Sequence, residues 1–155
     1  MNIRVIAIPS EIAGEVRTTS QAPVYGHPVT ASLATGYGPC RHCLREFEIG
    51  RENRILFTYD AFHGIEPLPL PGPVFIHEEA CARYDESAGF PEPARTHPLT
   101  LVAYGKGRIH RDEHHVTDGK VEPLLERLLS RDDVDYVHVR DTDAGCYDFR
   151  IERAG

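Results

Sequence analysis

Four residues in two short segments carry side chains that bind soft metals: Cys40 and Cys43 in Cys40-Arg-His-Cys43, and His77 and Cys81 in His77-Glu-Glu-Ala-Cys81. Thiolates and imidazole are the donors of closed tetrahedral zinc sites, so the set reads as a Cys3His zinc centre. Three thiolates and a neutral imidazole leave one net negative charge around a divalent ion. Arg41 or Arg45 is expected to offset that charge by hydrogen bonding nearby. A redox C-x-x-C needs a strand before it and a helix after it, to lower the first thiol's pKa. Here Gly36-Tyr-Gly-Pro39 precedes the pair and a hairpin pattern follows, which describes a knuckle-like turn instead. The competing reading is that all four are ordinary buried residues without metal.

Two further clusters offer chemistry. Cys146 stands near Arg140, His138 and Asp148 in two alternating segments. If Arg140 pairs with Cys146 and His138 with Asp148 across a hairpin, a guanidinium favours the thiolate and a carboxylate orients the imidazole. That describes a cysteine nucleophile with its base. His110-Arg-Asp-Glu-His114-His115 has the composition of a metal motif, but on a strand His110 and His114 share a face and His115 points away. A solvated, charged edge strand is the expected reading there, with an accessory metal or substrate contact as the alternative.

The elements that position these residues are expected to be mixed. Residues 2–8 read as a strand and 10–16 as a short helix, followed by a long loop over 18–39 rich in Gly, Pro, Ser and Thr. A hairpin is expected from 47–49 and 54–59 around Gly50, and the prolines of 66–73 impose an extended connector. Residues 74–76 suggest a strand running into a helix over 78–85, so that His77 and Cys81 sit at a strand-to-helix junction. A C-x-x-C turn, a hairpin and such a junction resemble a treble-clef zinc knuckle. Downstream, 99–104 and 108–116 form a hairpin around Gly105-Lys-Gly107. Val121, Leu124, Leu125, Leu128 and Leu129 place one apolar stripe on a helix starting near Glu122, with Pro123 tolerated in its first turn. Residues 136–140 and 146–152 alternate as a final hairpin, with Val137, Val139, Tyr147, Phe149 and Ile151 on its buried face. Antiparallel hairpins packed by one strong amphipathic helix give an α+β fold, expected as a single domain over 1–155.

Composition narrows the function classes. Hydrophobic residues at 41% and charged residues at 26% are those of a globular chain, so disorder is not expected. A net charge of −7 argues against nucleic acid as the partner. No stretch is long and apolar enough to serve as a membrane span or signal peptide, so a cytoplasmic protein with reduced thiols is expected.

Three separated motifs then carry a resemblance: Pro39-Cys-Arg-His-Cys-Leu44, Gly72-Pro-Val-Phe-Ile-His77 with Cys81, and Tyr136-Val-His-Val-Arg140 with Gly145-Cys-Tyr147. In them the chain resembles the bacterial family catalogued as domain of unknown function 1203, collinearly from about Ile3 to Arg153. The resemblance implies that Cys40, Cys43, His77, Cys81, Arg140 and Cys146 belong to the family pattern, and it implies no substrate, reaction or partner. Two functions stand at this point: a zinc-binding protein, and a cysteine-dependent enzyme using Cys146 with Arg140 and His138.

Overall fold

The computed structural model describes residues 2–155 and is α+β with antiparallel sheets. Its strands and helices are β1 (Ile3–Ile6), α1 (Ser10–Thr19), β2 (Thr30–Leu33), β3 (Asn53–Asp60), β4 (Pro71–His77), β5 (Leu99–Gly105), β6 (Ile109–Val116), α2 (Glu122–Leu129), β7 (Tyr136–Asp141) and β8 (Tyr147–Arg153). They fall into two compact units, one formed by residues 7–84 and the other by 2–6 with 85–155.

In the first unit β2, β3 and β4 form a three-stranded sheet in that order. Its inward residues Ile55, Phe57, Val74 and Ile76 are buried together with Ile12, Ala13 and Val16 of α1. Cys40 and Cys43 belong to this same cluster, so the C-x-x-C pair is embedded in the unit's core. β2 lies inside the span expected as loop. All four of its residues are exposed, so no hydrophobic alternation marks it. The hairpin expected around Gly50 does not form. Residues 48–52 instead close a turn in which the Glu52 N–H donates to the Glu48 carbonyl at 3.0 Å, and β3 pairs with β2 and β4.

The expected helix over 78–85 is also absent, and the chain there is irregular. Seven or eight residues make a weak helix by themselves. Tertiary hydrogen bonds take this segment instead: the Tyr84 N–H donates to the His42 carbonyl at 2.9 Å, and Arg83 Nη2 donates to the Ala7 carbonyl at 2.6 Å.

In the second unit the strand order is β1-β8-β7-β5-β6. The stripe on α2 is buried at Leu125, Leu128 and Leu129, and the sheet buries Leu101, Val137, Val139, Phe149 and Ile151. Arg127 and Arg131 of α2 and its C-terminal turn reach His114 and Asp112 of β6, which fixes the face on which the helix lies. Arg153 at the end of β8 donates to the Leu129 carbonyl, an acceptor that the helix end leaves open, and to the carbonyls of Arg131 and Val134 beyond it at 2.7 and 2.6 Å.

Two bulges reset the side-chain faces that strict alternation assigns. Between Ala103 and Tyr104 the pairing of β5 with β6 slips, so His110 opposes Tyr104 while His114 opposes Leu101. His110 therefore shares a face with His115 and not with His114. Between Val139 and Arg140 a second slip sets Arg140 opposite Tyr147 and His138 opposite Arg150. Tyr147 leaves the face of Val137 and Phe149, and its ring lies 4.9 Å from that of His138.

Gly105 ends β5 where no side chain fits: a Cβ there would meet the Asp133 carbonyl oxygen at 2.5 Å. Gly105→Ala is therefore expected to destabilise the protein by about 1–3 kcal/mol, as overpacking against a backbone atom does. A thermal melt reads this directly, and an unchanged midpoint would contradict the packing described.

Candidate metal centre

The Cys40–Cys43 turn is closed by the Cys40 N–H donating to the Arg45 carbonyl at 2.9 Å and the Leu44 N–H donating to the Cys40 carbonyl at 2.8 Å. Leu44 accepts a left-handed φ of 59° to complete it. The turn is tied to β4 by the Arg41 N–H on the Phe75 carbonyl at 3.0 Å, and it receives the Tyr84 N–H on the His42 carbonyl. Those bonds bring three segments distant in sequence onto one point: the turn, the end of β4 at His77, and the irregular strip carrying Cys81.

One ligand atom from each of Cys40, Cys43, His77 and Cys81 lies within 4.8 Å of every other. Cys40 Sγ and Cys81 Sγ are 3.9 Å apart, and Cys43 Sγ is 3.4 Å from His77 Nδ1. A tetrahedron with Zn–S near 2.3 Å and Zn–N near 2.05 Å has S–S edges of about 3.8 Å and S–N edges of about 3.6 Å. The residues present therefore fit a tetrahedral metal of that size. Cys40, Cys43 and His77 are buried, and Cys81 is half-buried.

Hydrogen bonds from around the cluster favour negative sulfur. The His77 N–H donates to Cys40 Sγ at 3.3 Å, and Arg17 of α1 donates through Nη2 to Cys81 Sγ at 3.3 Å and through Nε to the His77 carbonyl at 3.0 Å. Arg17 is thus the counter-charge. The expected Arg41 turns back to donate to the Pro39 carbonyl at 2.7 Å, and Arg45 is exposed. Among the thiols, the hydrogen bonds from Cys43 and then Cys81 hold Cys40 far below the ordinary thiol pKa, and the same bond to Cys40 pushes Cys43 up. Cys81 is pushed up as well, first by its hydrogen bond with Cys40.

Two histidines complete the surroundings. His77 presents Nδ1 to the sulfurs, while its Nε2 lies 3.1 Å from Glu52 Oε2, close in distance but outside hydrogen-bonding geometry. The Phe47 ring, 4.6 Å away, packs against the imidazole. A carboxylate behind a ligating imidazole is the usual second partner of a metal-bound histidine. His42, inside the C-x-x-C, places Nδ1 3.2 Å from Cys81 Sγ and Nε2 2.9 Å from Ser10 Oγ. Burial, and then Arg17, hold His42 below the ordinary imidazole pKa. With Cys81 as thiolate, His42 donates from Nδ1 and accepts the Ser10 hydroxyl at Nε2. Arg17 and Glu52 carry no spacing signal toward the cysteines and only the fold brings them in, while His42 sits within the C-x-x-C and the fold adds its contact with Cys81.

The other clusters do not assemble in the same way. Cys146 precedes β8 and its Sγ lies 3.9 Å from the Ala144 carbonyl. Arg140 donates to the Gly145 carbonyl at 3.3 Å and lies 6.0 Å from the Tyr147 ring. His138 and Asp148, expected on an open face, are both buried, and His138 sits among the rings of Tyr104, Tyr136 and Tyr147. The structure thus pairs His138 and Arg140 with other residues than the nucleophile arrangement requires. His110, His114 and His115 take separate partners in Glu113, Asp112 and Thr100.

Burial first, then the charges of Arg140, Arg150 and Arg108, hold His138 well below the ordinary imidazole pKa. The unfolded chain therefore takes up this proton more readily than the folded one. Stability is expected to fall as pH drops below about 6.5, by up to about 1.4 kcal/mol per pH unit from this residue. Denaturant titrations of wild type and His138→Gln at several pH values measure it, and parallel pH profiles for the two proteins would refute it.

Comparison with known proteins adds one relationship. No curated protein and no solved structure matches the chain. Residues 37–153, the span that contains all four clustered ligands, match the model of a family described as a protein of unknown function, and the chain belongs to that family, DUF1203.

Proposed function

We propose that this is a zinc-binding protein in which Cys40, Cys43, His77 and Cys81 hold one ion that ties its surrounding segments together. The observation that carries the reading is the gathering of all four donors within 4.8 Å of one another, with the Cys40–Cys81 and Cys43–His77 separations of 3.9 and 3.4 Å close to the edges of a zinc tetrahedron. Four protein donors complete the coordination and leave no position for a substrate, which favours a structural role. Zinc suits three soft thiolates and an imidazole, and the bound ion would replace proton sharing among the sulfurs with ligation. The absence among the described residues of any helix long and apolar enough to cross a membrane accords with a protein that works in solution.

The reading is tested by purifying the untagged protein, measuring metal by mass spectrometry and counting reactive thiols before and after chelation. About one zinc per chain is expected, with Cys146 reactive at the start and the other three thiols released by the chelator. Protein free of metal with all four thiols reactive would sink the proposal. Cys43→Ser should lower stability by about 4 kcal/mol or more, because an ion lost from a folded site takes its binding energy with it.

The surroundings of the ligands supply a second measurement. Glu52→Gln and Arg17→Gln are each expected to weaken zinc binding about 10- to 100-fold in competition with a chromophoric chelator, since one sets a negative charge 3.1 Å from the imidazole and the other a positive charge beside the Cys81 sulfur. Equal affinity in both variants and wild type would show that these contacts do not reach the ion.

A further inference from the structure

A cavity of about 390 Å³ lies beside the cluster, lined by Arg51, Glu52, Asn53, His77, Glu78 and Glu79. Three carboxylates face one guanidinium in its walls. Glu78 and Glu79 are exposed, Glu52 is half-buried, and the His77 side chain, 4% exposed, lies deepest. The buried Nε2 of that imidazole has no hydrogen-bond partner and lies on the side of Glu52, while Nδ1 lies on the side of the sulfurs. His77 is thus the one ligand shared by the cavity and the cluster.

We infer that this cavity is the entry vestibule of the metal centre, where Glu52, Glu78 and Glu79 capture a hydrated divalent cation before it passes the His77 ring to the three sulfurs. The inference rests on the zinc-binding reading above. Carboxylates hold a hydrated divalent ion loosely, and thiolates with imidazole hold the dehydrated ion tightly, so affinity increases inward. A concave site with walls of one predominant charge concentrates cations and raises their arrival rate by about 10- to 1,000-fold. The rival approach is past Cys81, the only ligand of the four that is partly exposed. There the Arg17 guanidinium stands 3.3 Å from the sulfur and repels an arriving cation. Charge therefore selects the cavity over the more exposed sulfur. On binding, the thiol protons leave to solvent as the ion replaces them.

The test uses full-length protein stripped with a chelator and mixed rapidly with cobalt(II), whose thiolate charge-transfer absorption reports arrival at the sulfurs. Glu78→Gln combined with Glu79→Gln is expected to slow loading about tenfold at low ionic strength. The difference should shrink as salt screens the carboxylates, and the final absorbance and equilibrium affinity should stay within twofold of wild type. Glu11→Gln combined with Glu15→Gln, which removes as much charge from exposed positions of α1, should load at the wild-type rate. Loading at the wild-type rate in the Glu78 and Glu79 variant overturns the inference, as does equal slowing by both pairs, which would reflect net charge alone. Absence of the charge-transfer band in every protein, wild type included, would overturn the zinc-binding reading itself and the vestibule with it.

Discussion

Three sulfur atoms and an imidazole nitrogen gathered within 4.8 Å in a buried setting cannot all ionise unless a cation lies among them. Hydrogen bonds from Cys43 and Cys81 favour the negative charge at Cys40, and those same bonds push the other two thiols up. That constraint organises the unit formed by residues 7–84. The turn of Cys40 to Cys43, the end of β4 and the strip after it are otherwise joined by a handful of backbone hydrogen bonds, and none of the three is a long regular element. Arg17 shows how far the constraint extends. A helix residue that in most settings would be solvated spends its guanidinium on one ligand's sulfur and another's carbonyl.

The position of the centre in the core explains why the unit tolerates such irregular ligand segments. Cys40 and Cys43 pack with Ile12, Val16, Phe47, Phe57 and Ile76, so the ligands double as core residues. Burial lowers the effective dielectric around them, which strengthens each N–H to sulfur bond and raises the cost of any sulfur left without one. The neutral His42 fits the same economy of charge. Held by Ser10 on one nitrogen and facing Cys81 with the other, it supplies a donor without adding a second cation beside Arg17.

Residue type and spacing were enough to select the four clustered residues, because a C-x-x-C and a His/Cys pair are local patterns and the donor chemistry belongs to the side chains. The hairpin around Gly107 and the helix carrying Leu125, Leu128 and Leu129 were legible for a similar reason, each being set by turn chemistry or by period. What could not be read was whatever depends on a partner far along the chain. Residues 78–85 have helical composition, yet Arg83 and Tyr84 bond to Ala7, Ile8 and His42, and that pairing outweighs a weak propensity. The two bulges have a different cause. Each adds one residue to one strand without a Gly or Pro to announce it, so alternation counted along β6 and β8 is right within each segment and wrong across the slip. Arg111 and Asp148 occupy those extra places, and in consequence His110 faces with His115 and His138 opposes Arg150.

The slip in β8 has a chemical consequence as well as a geometric one. The expected register set His138 opposite Asp148 and Arg140 opposite Cys146, a thiol with an activating base, whereas the observed ladder sets His138 opposite Arg150 and Arg140 opposite Tyr147. With it, the imidazole enters a nest of three tyrosine rings near three guanidiniums, where protonation is disfavoured by burial and by charge together. A neutral, enclosed imidazole beside aromatic rings serves packing. His77 differs at the level of individual atoms, because its two nitrogens face different surroundings: Nδ1 meets sulfur and Nε2 meets a carboxylate at the edge of a cavity. Of the four clustered side chains, only the imidazole can present one atom to the cluster and another to its outside. That sets His77, and not any of the cysteines, at the boundary between the buried cluster and the cavity beside it.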